Sequence, residues 1–71
     1  MEELYIAIDK KEWTQVYNIL KNCFKNYYTV LKYLSLENYN IKDIIKNIQN
    51  IDIFFADELM EVYLYNINNN S

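Results

Sequence analysis

The sequence predicts an all-α fold, a small bundle of three to four helices around one long central helix at about residues 10–34. Two series of apolar residues recur at intervals of three and four, the spacing of one helix face. The chain has 71 residues, 52% of them apolar, which suits one small domain over residues 1–71. Because it contains no glycine and no proline, helix boundaries must be inferred from capping residues and breaks in the apolar spacing.

The first element, residues 2–8, carries mixed signals and is compatible with a helix or a strand. A lone strand needs a partner, and only residues 62–65 offer one. We therefore predict a short helix here.

The second element is the long helix, whose start is marked by a capping box. Asp9 is placed to accept a hydrogen bond from the backbone N–H three residues later, and Glu12 to reach back. The apolar positions that follow are Trp13, Val16, Tyr17, Leu20, Phe24, Tyr27, Leu31 and Leu34. Ile19, Cys23 and Val30 widen this stripe to nearly half of the circumference. Such a wide face predicts contact with two other elements and a buried, unreactive Cys23 thiol.

Two further helices follow a turn. Asn40 is the predicted cap of a helix whose apolar residues are Ile41, Ile44, Ile45 and Ile48. Asp52 would fall inside this apolar stripe if the helix ran on, so we assign it as the cap of a last helix from about 53 to 66. Residues 66–71 are expected to form a frayed tail. The alternative is one unbroken helix over residues 41–66, which the sequence leaves open.

Residue types needed for common kinds of catalysis are missing. The chain has no His, the usual group that titrates near neutral pH, and no Arg, the usual clamp for phosphates and carboxylates. Without glycine it cannot form a phosphate-binding loop or the central turn of a calcium loop. One cysteine without histidine cannot build a zinc or iron–sulfur site. We therefore predict that the protein is not an enzyme and uses no metal and no cofactor.

The single cysteine and the first residues indicate the compartment. Cys23 has no second cysteine for an internal disulfide, which is typical of a reducing cytosol. Met1 is followed by two acidic residues where a secretion signal would be basic, and no apolar run approaches about 18 residues. We expect a cytoplasmic protein that does not enter a membrane.

The lysines are unevenly distributed. All seven lie within residues 10–46, although the net charge of the chain is −3. On the predicted long helix, four lysines fall within a sector of about 60° with a tyrosine at its edge. These residues are Lys10, Lys21, Lys25, Tyr28 and Lys32. A basic stripe with an aromatic ring is one way to bind single-stranded nucleic acid. Because the chain is acidic and lacks arginine, nucleic-acid binding is the less favoured alternative.

The last predicted helix is apolar on both sides. One orientation buries Phe55, Leu59, Val62 and either Tyr63 or Asn66. The side then left to solvent holds Phe54, Asp57, Glu58, Glu61, Leu64 and Tyr65. The opposite orientation buries Ile53, Ala56, Met60, Tyr63 and Ile67. A small domain buries only one side, so we expect the other to contact a second protein or another copy of this chain.

Aromatic residues interleaved with carboxylates are typical of a protein-binding surface. The predicted partner-binding residues are Tyr33, Phe54, Asp57, Glu58, Glu61 and Tyr65. We interpret the chain as a small interaction module that inhibits or regulates a larger host complex through a basic partner surface, with a homodimer as the alternative. Its eleven Asn, ten Ile, eight Tyr and seven Lys are encoded by A/T-rich codons. We therefore expect a phage or mobile-element gene with an anti-defence, immunity or antitoxin-like role.

Overall fold

The computed structural model describes residues 2–23 and 26–68, and this part of the chain contains five α-helices and no strand. In chain order they are α1 (Glu2–Asp9), α2 (Trp13–Lys21), α3 (Tyr27–Leu36), α4 (Ile41–Gln49) and α5 (Ile53–Asn68). The all-α prediction is confirmed, and residues 2–8 lie in a helix rather than a strand.

The predicted long helix at residues 10–34 is wrong, because a turn separates α2 from α3. The N–H of Asn22 faces the carbonyls of three preceding residues, and the N–H of Cys23 bonds to the Leu20 carbonyl at 3.1 Å. This tightening to a three-residue spacing ends α2. Asn22 and Asn26 flank the turn, and asparagine is a poor helix former. The apolar spacing continues across the turn because both helices contribute to the same core.

The predicted capping box is also wrong. Asp9 is the last residue of α1, and Glu12 precedes α2 without capping it through its side chain. Instead, α1 ends in a Schellman motif centred on Lys11, whose φ is 58°. The N–H of Glu12 bonds to the Ala7 carbonyl and the N–H of Lys11 to the Ile8 carbonyl, both at 3.0 Å.

α3 ends in the same motif, with Asn38 in the left-handed position at a φ of 66°. The N–H of Tyr39 bonds to the Leu34 carbonyl and the N–H of Asn38 to the Ser35 carbonyl, both at 3.0 Å. Because the chain has no glycine, a lysine and an asparagine occupy positions that glycine normally fills. Asparagine tolerates the left-handed conformation better than lysine does.

The two predicted caps later in the chain are confirmed. Asn40 Oδ1 accepts a hydrogen bond from the Asp43 N–H at 3.0 Å, at the start of α4. Asp52 Oδ1 accepts one from the Phe55 N–H at 3.1 Å, at the start of α5. The alternative of one unbroken helix is therefore wrong. α5 continues to Asn68, so the first three residues of the predicted tail are helical, and the rest of that tail lies outside the described residues.

The buried apolar residues form one core to which all five helices contribute. Its largest completely buried side chains are Leu4, Val16, Leu20, Leu31, Leu34, Ile48 and Leu59. α1 packs against α2, whereas α5 packs against both α3 and α4. α5 is thus held along one side only, and its other side is presented to solvent.

Candidate protein-binding surface on the last helix

The rotation of α5 is set by Phe55, which points into the core beside Tyr17 and Tyr27. Its ring meets the two tyrosine rings edge to face, with centroids 5.5 Å and 5.4 Å away. The ammonium of Lys21 lies 5.0 Å from the centroid of the same ring. Aromatic pairs of this geometry add to the free energy gained by burial alone. They fix which side of α5 faces inward.

A hydrogen bond ties the start of α5 to α2. The hydroxyl of Tyr17 donates to Asp52 Oδ2 at 2.7 Å, while the other oxygen of Asp52 caps α5. The bond from Tyr17, the Phe55 N–H and the positive charge of Lys21 lower the pKa of Asp52 below its usual 3.8. The bond to Asp52 and partial burial raise the pKa of Tyr17 above its usual 10.0. Both shifts favour the state in which a neutral phenol donates to a carboxylate.

With this rotation, α5 buries the first of the two predicted sides. Phe55 and Leu59 are buried, and Val62, Tyr63 and Asn66 are partly buried. The opposite predicted orientation is wrong because two of its inward residues, Ile53 and Ile67, are each 51% exposed. Ala56 belonged to that second set but is buried at the edge of the inner side.

The side turned to solvent holds six exposed residues, which we call the outer face of α5. They are Phe54, Asp57, Glu58, Glu61, Leu64 and Tyr65. Phe54 is 84% exposed, the highest value among the large apolar side chains described. Tyr65 is 57% exposed, and its ring meets that of Tyr28 on α3 edge to face at 5.7 Å. The structure thus brings five of the six predicted partner-binding residues onto one surface.

The sixth, Tyr33, is half exposed but lies on α3. The other five were predicted from their spacing on one helix, and that spacing gave no information on how α3 would be placed. Tyr33 therefore stays an isolated candidate.

The outer face is strongly acidic. It holds three carboxylates within two turns, and the chain has no lysine after Lys46, so α5 has no cation of its own to balance them. Glu58 and Glu61 are three residues apart, and Asp57 and Glu61 four residues apart, which places like charges side by side on the helix. An incoming positive charge would relieve this repulsion.

The described residues do not form the single helix face on which the basic stripe was predicted, because α2 and α3 are separate helices. Lys10 lies in the turn after α1, Lys21 ends α2 beside Phe55, and Tyr28 and Lys32 lie on α3. Lys25 lies outside the described residues. The lysines that are described belong to separate elements and no longer share one helix face.

Two concavities were not foreseen. A groove of about 140 Å³ between α3 and α5 is lined by residues that include Tyr28, Lys32, Leu36 and Ile67. Leu36 is 67% exposed. The sequence offered no signal for this groove, since Leu36 falls in the predicted turn and Ile67 in the predicted tail.

The second concavity, of about 260 Å³, lies where α1, α2 and α4 meet and includes Asp9, Trp13 and Tyr39. The ring of Tyr39 stacks on Tyr5 at 5.4 Å, and its hydroxyl donates to Asp9 Oδ1 at 3.2 Å. Partial burial and this hydrogen bond raise the pKa of the Tyr39 phenol above its usual 10.0. Trp13 was assigned to the core from its spacing, and it is in fact only partly buried.

Cys23, predicted to be buried, is partly buried against the core, and its thiol donates to the Ile19 carbonyl at 3.2 Å. Within residues 2–23 and 26–68, no three acidic, cysteine or histidine side chains are grouped so that they could hold a metal ion. No helix in the same ranges has the length and apolarity required to cross a bilayer. Comparison of the chain with protein-family models, with curated proteins and with solved structures finds no match.

Proposed function

We propose that the protein is a small non-enzymatic interaction module whose outer face of α5 binds another protein. The observation that carries this proposal is the 84% exposure of Phe54 on a helix whose other side is fixed in the core. A large aromatic side chain gains free energy when a partner removes it from water. Exposed aromatic residues with a polar surround are typical of residues that dominate binding energy at interfaces.

A protein partner fits this surface better than a nucleic acid. The three carboxylates of the outer face would repel a phosphate backbone, while the described lysines are spread over separate elements. Binding of this kind inhibits or regulates by covering a surface of the partner. We propose that the partner is a larger complex in the cytoplasm and that the gene belongs to a phage or mobile element, a proposal supported by the high content of Asn, Ile, Tyr and Lys.

Capture with matched variants tests the proposal. The tagged chain, its Phe54→Asp variant and its Ile6→Asp variant would be exposed to lysate of the cells that carry the gene. Ile6 is 48% exposed on α1, so the control introduces the same charge on another face. We expect at least one protein to be retained by the wild type and the control and to fall about tenfold with Phe54→Asp. Equal retention by all three chains would reject the outer face as the binding surface.

The molar mass in solution separates this function from self-association. We expect a monomer by light scattering at two widely separated concentrations. A dimer that dissociates in the Phe54→Asp variant would instead assign the outer face to a second copy of the chain.

A further inference from the structure

We infer that the partner presents a basic groove that receives α5 as a helix, with one apolar pocket for Phe54, another for Tyr65, and Lys or Arg side chains between them. This inference rests on the proposed function and specifies the chemistry of the partner. It follows from the positions of the outer-face residues along α5 and from their charges.

Four outer-face residues follow the pattern by which a helix is recognised in a groove. Phe54, Glu58, Glu61 and Tyr65 occupy positions i, i+4, i+7 and i+11. At 100° per residue they fall within a sector of about 60°. The two aromatic residues are separated by eleven positions, or about 16 Å along the helix axis. A partner therefore needs two apolar pockets at about this distance, aligned with one groove.

The residues between the two aromatic anchors determine the charge of that groove. Asp57, Glu58 and Glu61 are all exposed, and α5 has no lysine or arginine. Burying these carboxylates in an interface without cations would cost far more than burying Phe54 would gain. Lys or Arg in the groove would instead form charge-assisted hydrogen bonds with them and relieve their mutual repulsion.

The same charges oppose a second copy of the chain as the occupant. A two-fold axis places identical surfaces against each other. Pairing two outer faces about the middle of α5 would bring Glu58 and Glu61 of one copy to the same residues of the other, at the centre of the contact. Like charges placed across an interface strongly weaken association. The acidic middle of α5 therefore selects a basic partner and disfavours self-pairing.

A display library tests the inference without knowledge of the natural partner. The probe is a library of two-helix miniproteins with randomised surfaces, selected on the immobilised full chain. We expect the enriched binders to carry a net positive charge and large apolar residues. Their affinity should fall about tenfold or more in a Glu58→Lys, Glu61→Lys double variant, and to a similar extent between about 50 and about 500 mM salt.

The matched control is a Glu2→Lys, Glu3→Lys double variant. Both glutamates are exposed on α1, so this variant changes the net charge by the same amount without altering α5. Affinity for it should stay within about twofold of wild type, because charges far from the interface are screened. Circular dichroism would show that both variants remain folded.

A third variant, Phe54→Ala, distinguishes the two levels of the proposal. The inference would be overturned by binders that need Phe54 but are neutral or acidic. It would also be overturned by binders that need Phe54 and bind the Glu58→Lys, Glu61→Lys variant as well as wild type. In both cases the proposed function would still stand. A selection that yields no binder dependent on Phe54 would overturn the proposed function, and the inference with it.

Discussion

Phe54 and Phe55 are consecutive residues of α5 with opposite surroundings. Phe55 is 4% exposed, meets the rings of Tyr17 and Tyr27, and lies 5.0 Å from the ammonium of Lys21. Phe54 is 84% exposed and shares its face of the helix with carboxylates. The two phenylalanine side chains thus have different roles. Phe55 stabilises the fold, whereas Phe54 contributes little to the fold and is available to a partner.

The largest expected effect separates these two residues directly. Phe55→Ala should lower the free energy of unfolding by about 3–5 kcal/mol, because it removes a buried ring and leaves a cavity. Phe54→Ala should change it by no more than about 0.5 kcal/mol, as at most exposed positions. Urea unfolding followed by circular dichroism measures both. A loss well above about 1 kcal/mol for Phe54→Ala would show that another part of the chain covers this ring.

Acidification should affect the inner side of α5 through Asp52. Its pKa is lowered in the folded state, mainly by the hydrogen bond from Tyr17. A lowered pKa means that the folded state favours the charged form. The stabilisation is therefore complete well above the usual value of 3.8 and is lost as the pH falls through that value to the lower folded pKa. We expect Asp52→Asn to lower the melting temperature at about pH 6 and to reduce its fall between about pH 6 and about pH 3.

The control for this acid effect is Glu58→Gln, which removes a carboxylate from the outer face. It should leave the melting temperature at about pH 6 unchanged or slightly higher, since Glu58 has a like-charged neighbour three residues later. If Asp52→Asn and Glu58→Gln gave the same pH profile, the link between Asp52 and Tyr17 would not contribute to stability.

A charge reversal on the outer face should stabilise the protein. Glu61→Lys removes repulsion with Asp57 and Glu58 and replaces it with attraction at the favourable spacings of four and three residues. Each such pair is worth a few tenths of a kcal/mol, so we expect a gain of about 0.5–1 kcal/mol in urea unfolding at low salt. The gain should shrink at high salt. A loss of stability would mean that a cation within the chain already pairs with Glu61.

Such a gain would show that the outer face is not optimised for folding. Surfaces of natural proteins are commonly not at their stability optimum, and in our proposal these carboxylates serve binding. On the inner side we expect no comparable gain in stability from a substitution, since Phe55 and Leu59 are already buried.

The same contrast shows which features the sequence could predict. The caps at Asn40 and Asp52 were predictable because a side-chain oxygen and an N–H three residues later are local partners. For the inward side of α5, the sequence left two orientations open, and the structure selects the one with Phe55, Leu59 and Val62 turned inward. The outer face is the complement that was predicted for this orientation, with its charged residues in water.

The features that were missed depend on backbone turns without a sequence marker. The apolar period runs through Asn22 as if α2 continued, because both helices reach the same core. Lys11 takes a left-handed conformation that usually identifies a glycine. The single face predicted for the basic stripe depended on the long helix. The groove beside Leu36 depends on how α3 packs against α5, and residue spacing along one helix gives no information about that packing.

A similarly small effect concerns the cation that Phe55 has and Phe54 lacks. Lys21→Met keeps a long apolar stem but removes the ammonium from the face of the Phe55 ring, so we expect a loss of about 0.5–1 kcal/mol in urea unfolding. Lys46→Met is the matched control, because both lysines lie in the last turn of a helix and share the favourable interaction with its dipole. The difference between the two variants therefore measures what Lys21 gains from the Phe55 and Tyr17 rings and from the Asp52 carboxylate, apart from the helix dipole.

Equal losses in the two lysine variants would show that Lys21 acts only through the helix dipole, and the ring contact would then carry no free energy. An excess loss in Lys21→Met would give the combined contribution of the Phe55 and Tyr17 rings and the Asp52 carboxylate to the binding of this ammonium. Phe54 offers the same ring chemistry on the outer face, beside three carboxylates that attract cations. A lysine or arginine of the proposed partner would then interact there with both the Phe54 ring and the carboxylates.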